Sequence, residues 1–557
     1  MDTRKRDDFM LKKFTTGRNN FREVIEENLY YVDKTKIIEE LLENKNYVTL
    51  FPRPRRFGKS LFISMLDNFF NIEYKDTNKN LFNDLYISKS DYYKELSTRP
   101  VISFSFKEME ANNYESMYSS FKELIRELYS RKRYVIDILD DDEKEIFNRF
   151  LFKKAEEDEY KKAIYLLSGF MSRYYNKKVI ILLDEYDVPI DKGYLNNFYE
   201  KIMNLIRPVF SSSLKDNVNL DFGVVTGVLR VSGESLFSTF NNADIYSIMD
   251  NRYNEYFGFT EKETKELLEY YGLELNEDVK NMYDGYIFGG VEIYNPWSII
   301  KYADRRVLQP YWLNTSSNEL ITRCIRDCTE NIKVTLEKLL TGKSIPFIYN
   351  DQVTYKNSDT LNSVNNILNL LFASGYLTID RIEVNVFGKE VIYVKIPNME
   401  VNELFNNYLL EILVSDNSNI MGLMSDFCIA ILENNKKNME QILNQILPST
   451  SFMNSSEDHF DGYLQCLFSL FLNNKKYIVD SNRESGMGRF DLMIKDKIFN
   501  IGIVIELKIT KGDMEEGAIK GLKQIEEKEY YMDLVRDGYK DIRKIAICFK
   551  GKKCVVR

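Results

Sequence analysis

The chain of 557 residues contains a single histidine, His459, and six cysteines with no CxxC pair among them. Zinc sites of the Cys/His kind and a disulfide framework are therefore not expected, and a mechanism that needs a histidine base has one candidate. Cys324 and Cys328, four apart in a helical stretch, read as ordinary thiols. No apolar run approaches the roughly 18 residues that a bilayer span requires. The opening MDTRKRDDFMLKKF is basic but lacks an apolar core, so the expectation is a cytoplasmic protein with no membrane partner. A basic excess is missing as well. The net charge of -9 argues against indiscriminate nucleic-acid binding, although an acidic total can hide a local basic groove. Neither repeats nor low-complexity linkers occur. Hydrophobic residues at 44% and charged residues at 29% fit a globular protein, and at about 150 residues per domain the length suggests three or four units.

Against that background, residues 47 to 67 read YVTLFPRPRRFGKSLFISMLD, a β-branched and aromatic strand running through Gly58-Lys59-Ser60 into an amphipathic helix. This is the layout of a phosphate-binding loop: the strand fixes the loop at a sheet edge, and the helix offers unpaired N–H groups and its positive dipole end to an anion. Lys59 is then expected at the β and γ phosphates and Ser60 on Mg²⁺, which makes ATP and Mg²⁺ the expected cofactors. Leu61, Phe62, Met65, Leu66, Phe69 and Phe70 recur with the period of a buried helix face. Gly342-Lys343-Ser344 is an internal control, because it follows the helical VTLEKLLT and precedes Pro346; it reads as a helix C-cap. The generic pattern G-x-x-x-x-G-K-[ST] wants glycine at position 53, where this chain has Arg53. A side chain there narrows the loop or, with Arg55 and Arg56, adds guanidinium donors to the phosphates. Phe57 and Leu61 complete the expected nucleotide contacts.

Residues 179 to 187, VIILLDEYD, read as a central strand buried on both faces that ends in two acids. In an ATPase, Asp184 would hold Mg²⁺ and Glu185 would polarise the attacking water. The alternative is a strand with an acidic turn. A further strand, DFGVVTG, ends at Thr226, a candidate γ-phosphate sensor, with Arg230 as a candidate charge neutraliser; a turn threonine and a surface arginine are the bland alternatives.

Near the C-terminus, RESGMGRFDLMI leads into a strand, a turn at Lys495 to Asn500, and a second strand, IGIVIELK. Period-2 geometry puts Glu506 and Lys508 on one face, and a hairpin brings Asp491 beside them. Two carboxylates suit Mg²⁺ or Mn²⁺, and an ammonium can orient hydroxide, which is the arrangement for metal-assisted phosphodiester hydrolysis. Other Glu-x-Lys triplets, Glu73-Lys75, Glu159-Lys161 and Glu526-Lys528, lie in charged stretches rather than an apolar strand. The alternative is a hairpin with a solvated polar face. A helix from about Met514 to Asp533 carrying Gln524, and a strand from Lys544 to Phe549, are expected to complete the unit. Lys508, Lys511, Lys520, Lys523 and Lys528 would neutralise phosphates there or form a solvated face.

These segments together resemble a known pairing. YVDKT (31 to 35), RPRRFGKSL, LLDEYD, FSTFNNADIYSI (237 to 248) and FGFTEKE (257 to 263) resemble the AAA-ATPase-like family. SNRESGMGRFDLMI, IELK and QI (524 to 525) resemble the PD-(D/E)XK nuclease superfamily domain that usually accompanies it. The resemblance implies Lys59, Ser60, Asp184 and Glu185 for ATP and Mg²⁺, and Asp491, Glu506 and Lys508 for the nuclease. It further implies Glu457 as a helical acid completing the metal site, with Gln524 near it. Arg53 is the family's own habit, whereas Asp461 stands where the family usually has histidine.

The expected fold is α/β: an AAA/ASCE-like P-loop domain with a parallel sheet over 1–260, a helical lid and winged-helix-like connecting region over 261–450, and a small PD-(D/E)XK nuclease-like domain over 451–557. YVDKT is expected beside the adenine pocket. The expected function is an ATP-regulated nuclease acting on nucleic acid, DNA before RNA and foreign or mobile DNA in particular, with homo-oligomers allowed. The alternative is a nucleotide-dependent switch whose nuclease-like domain binds without cutting.

Overall fold

A computed structural model describes residues 11–15, 17–78, 80–230, 243–312, 330–340, 342–350, 363–385, 388, 390–405, 420–447, 477–481, 484–485, 488–496 and 498–557. The chain forms two compact units, Met1–Cys324 with Pro346–Val401, and Ile325–Ile345 with Asn402–Arg557. The expected connecting region at 261–450 is thus divided between them.

The first unit is built on β1 (Val48–Pro52), β2 (Val101–Ser105), β3 (Val179–Asp184), β4 (Leu220–Gly227) and β5 (Ala243–Ile245), all parallel, in the order β2-β3-β4-β1-β5. Every residue of β1 and β3 is buried, as their continuous apolar runs require of strands covered on both faces. Because β4 separates β1 from β3, the loops after β1 and β3 open at one sheet edge, beside the end of β4. Register makes this explicit, with Phe51 opposite Thr226, Pro52 opposite Gly227 and Ser105 opposite Asp184. Strands β1, β3 and β4 lie where the sequence puts them.

The stretch from 260 to 300 was expected to be helical and is not wholly so. Helices Glu261–Tyr270, Glu277–Tyr283 and Pro296–Arg305 surround an antiparallel sheet of Phe259–Thr260, Val291–Tyr294 and Tyr286–Phe288. Gly289 and Gly290, at φ +49° and +80°, form the two-residue turn that closes its hairpin. Alternation in YIF and VEIY around Gly-Gly was the missed signal. The winged-helix-like expectation falls on a helix, Val364–Ala373, followed by an antiparallel hairpin of Thr378–Val384 and Glu390–Lys395.

In the second unit the sheet order is β6 (Tyr477–Ser481), β7 (Leu492–Asp496), β8 (Ile501–Ile509), β9 (Asp541–Lys550) and β10 (Lys553–Val556). Only the β8/β9 pair is parallel, and the helix Met514–Glu527 makes the crossover between them. That helix ends earlier than expected, and a separate turn of helix, Met532–Arg536, follows, with Glu529 at φ +51° between the two. Alternation along β8 sorts its side chains. Ile503, Ile505 and Leu507 pack into a core with the helices Ile420–Leu432 and Lys436–Ile446. Val504 faces the opposite way, against Ile525 and Leu534, so Glu506 and Lys508 share the face of the crossover helix.

The Gly342 control behaves as expected. Gly342 has φ +76°, its N–H donates to the Leu339 carbonyl and that of Lys343 to the Lys338 carbonyl, the Schellman pattern at a helix end.

Candidate functional site

After β1 the chain turns sharply at Gly58, φ +87°, and the helix Lys59–Phe70 begins. The helix's first hydrogen bond runs from the Phe62 N–H to the Gly58 carbonyl, so the N–H groups before it have no intrahelical partner and suit an anion. Beside them lies a cavity of about 610 Å³, within the range of ligand sites. Arg55, Arg56, Phe57, Gly58, Lys59, Ser60 and Leu61 all line it. Lys59 is buried, and its ammonium donates to the carbonyls of Arg53 and Pro54 at 2.8 Å each. Burial lowers its pKa to about 8 against the opposing pull of Asp184, Asp187 and Glu185. Arg56 sits at φ +68° with its guanidinium 4.4 Å from the Trp297 ring centre.

The acids after β3 take three different positions. The buried Asp184 carboxylate accepts a hydrogen bond from the Thr226 hydroxyl at 2.5 Å. Glu185, at φ +55°, turns into the cavity wall, and burial raises its pKa. Asp187 also lines the cavity, and its carboxylate accepts the N–H groups of Val228 and Leu229 at 2.7 and 2.9 Å. Burial raises its pKa, with those two N–H groups pulling the other way.

Four of the expected nucleotide contacts, Arg53, Asp184, Thr226 and Arg230, do not line the cavity, Asp184 being buried behind the wall with its carboxylate on the Thr226 hydroxyl. The Arg53 guanidinium is fully buried and donates to the carbonyls of Pro52 at 2.9 Å, Tyr246 at 2.6 Å and Tyr253 at 3.4 Å, so it adds no donor to the cavity wall. It points inward because Phe51, Phe257 and Phe288 surround it, with Phe257 nearest at 4.9 Å. Arg230 lines a separate small pocket with Tyr349 and Ser247. Thr226, for its part, is bonded to Asp184.

Other lining residues carried no local signal: Lys107 at the end of β2, Asp191, Tyr256 and Trp297. Asp187 was within reach of the LLDEYD motif. From YVDKT, Tyr31, Val32 and Lys34 do line the cavity, alongside Met65, Phe259, Leu267 and Ile300. The Lys34 ammonium is held by Glu263 and the Glu255 carbonyl, all at 2.6 Å. Thr15 and Asn19 of the N-terminal segment close the wall.

In the second unit, Leu492 pairs with Ile505, which sets Asp491 level with Glu506. The Asp491 carboxylate accepts the Leu507 N–H at 2.7 Å, and the Lys508 ammonium donates to Glu506 Oε1 at 2.7 Å. Glu506 Oε2 is buried and has no hydrogen-bond partner among the described residues. Burial, reinforced by Asp491, raises the Glu506 pKa to about 7, and burial raises that of Asp491 too. Two crowded carboxylates with an orphaned oxygen are a donor set that fits a divalent cation. Gly521 lets the crossover helix approach the sheet closely: an added Cβ would stand 3.0 Å from Ala546 Cβ, with Lys508 Cγ and Glu506 Cγ next at 3.4 and 3.6 Å. Gln524, one turn on, donates to the Tyr530 hydroxyl at 2.9 Å. Glu457, Asp461 and His459 lie outside the described residues, and among the described residues no group of three or more acids, cysteines or histidines is assembled for a metal.

With this geometry in view, comparisons with known proteins are specific. Residues 15–237 match the family described as predicted AAA-ATPase, and residues 459–557 match the PD-(D/E)XK nuclease superfamily. The chain joins an AAA-ATPase-like domain to a PD-(D/E)XK nuclease superfamily domain. The AAA-ATPase-like match covers the phosphate loop and the acids after β3, and the nuclease match covers Asp491, Glu506 and Lys508. The chain is also similar, at 24% identity over 533 residues and 93% of both chains, to the "uncharacterized protein in vnfD 5'region" of Azotobacter chroococcum mcd 1. Among the described residues, no helix is long and apolar enough to cross a membrane.

Proposed function

We propose that the protein is an ATP-binding, slowly hydrolysing ATPase whose nucleotide state controls a metal-dependent nuclease, with DNA, foreign or mobile DNA in particular, as the substrate and the cytoplasm as its place of action. The observation that carries the nuclease half is the convergence of Asp491, Glu506 and Lys508 at one end of the β7–β8 hairpin. Asp491 and Glu506 would hold Mg²⁺ or Mn²⁺, with Glu457 as the further ligand the family resemblance implies, and a metal there would supply Lewis-acid chemistry toward a phosphodiester. Lys508 orients the attacking water and offsets the charge that grows on the phosphoryl oxygens. The Leu507 N–H fixes the Asp491 carboxylate, so little rearrangement is needed for the two acids to act together.

In the N-terminal half, the N–H groups at 58–61 receive phosphate oxygens. Lys59 exchanges two backbone carbonyls for the β and γ phosphates. Arg55 and Arg56 lie on the same wall as further donors. Ser60, on the cavity wall, and Asp184, held behind it by the Thr226 hydroxyl, would be the residues to hold the Mg²⁺ that accompanies ATP. Glu185, which lines the same cavity, would polarise water against the γ-phosphate.

The test is incubation of the purified protein with supercoiled plasmid and linear DNA in Mg²⁺ or Mn²⁺, with and without ATP, beside Lys508→Ala. Cleavage that disappears in the variant supports the nuclease, and a response to ATP supports coupling. No cleavage under any condition would move the conclusion to a nucleotide-dependent switch that binds without cutting.

A further inference from the structure

Arg53 occupies the position where a generic phosphate loop has glycine, and three features make its burial unusual. Its guanidinium is 0% exposed yet is met by backbone carbonyls and aromatic rings, with Nε lacking a hydrogen-bond partner among the described residues. Burial lowers its pKa to about 9, with Asp250 pulling it back up. Desolvating a cation against neutral partners is unfavourable, and a glycine at the same place would avoid it.

The main chain of the same residue is what the loop uses. The Arg53 N–H donates to the Gly227 carbonyl at 3.0 Å, extending the β1/β4 ladder, and the Arg53 carbonyl receives the Lys59 ammonium at 2.8 Å. Pro52 and Pro54 flank it, which limits the backbone on both sides. The side chain adds the remaining tie, from the loop entrance to the carbonyls of Tyr246 and Tyr253 in the segment after β5.

We infer that Arg53 is a positioning residue for nucleotide binding: its buried guanidinium locks the entrance of the phosphate loop, so that Lys59 and the N–H groups at 58–61 are in place before the phosphates arrive, and it does so without touching the nucleotide. The inference rests on the reading that this loop binds ATP. It runs against the simple expectation from the motif, under which a glycine at 53 completes the pattern and improves the site.

The experiment is Arg53→Gly in the full chain, with affinities for ATP and AMP measured by calorimetry beside wild type and Arg53→Lys. Preorganisation of the loop for β and γ phosphates predicts that Arg53→Gly loses about tenfold or more in ATP affinity while AMP affinity stays within about twofold. Arg53→Lys, which keeps the cation but cannot bridge several carbonyls, should fall between the two. Should Arg53→Gly fail to fold, the ATP-to-AMP preference of Arg53→Lys decides the matter alone. Equal losses for ATP and AMP, or ATP binding by Arg53→Gly as tight as wild type, would overturn the inference. No ATP binding by wild type would instead remove the nucleotide reading beneath it.

Discussion

The wall of the cavity beside Gly58 draws on residues as far apart as Thr15 and Ile300, whereas Asp491, Glu506 and Lys508 come from a single hairpin. Coordinating phosphates, a base and a cation together takes an enclosed volume, and enclosure recruits walls from many segments. Cutting a phosphodiester takes a few groups at an accessible edge, and two strands in register deliver them. The first site therefore depends on tertiary structure that a short motif only hints at, and the second on local periodicity.

The sharpest way to break this comparison is to disable one site and read the other. Asp491→Asn or Lys508→Ala should lower cleavage by about 10²–10³-fold, the loss typical of one removed electrostatic group, and leave ATP affinity unchanged. A plasmid assay run in parallel with calorimetry checks both arms. Lys59→Ala should weaken ATP binding by roughly 10- to 100-fold, since charged hydrogen bonds to phosphate contribute on the order of 1.5–3 kcal/mol. Any cleavage seen without nucleotide should survive it.

Two glycines sharpen the contrast at smaller amplitude. A Cβ at Gly517 would run into Cys548 Sγ, so Gly517→Ala should destabilise the C-terminal unit by about 1–3 kcal/mol, visible in denaturant unfolding with ATP affinity intact. Gly342 has open space around it but φ +76°, so Gly342→Ala should cost only about 1–2 kcal/mol. It should leave nucleotide binding untouched, which separates its Gly-Lys-Ser triplet from the one at Gly58.

What could be read in advance follows the same division. Strands β1, β3 and β4, the loop at Gly58 and the Asp491, Glu506 and Lys508 set all rest on runs of a few neighbouring residues, where period and polarity suffice. Arg53 was misread because its charge suggested phosphate, and only the aromatic cage of Phe51, Phe257 and Phe288 draws it inward. Arg230 was misread because three residues of spacing from Thr226 say nothing about which pocket it enters. Trp297 and Lys107 reach the cavity through the packing of distant segments, so no pattern around either residue announces it.

The span of that wall has a consequence for the lifetime of the protein. A ligand touching the N-terminal segment, the phosphate loop and the helix that begins at Pro296 acts as a removable rivet across nearly three hundred residues of chain. At a hundred times its dissociation constant such a ligand stabilises the folded unit by about 2.7 kcal/mol. Removing such a ligand from that excess would raise the unfolded fraction of the unit by about a hundredfold, and with it the unit's exposure to proteolysis through global opening.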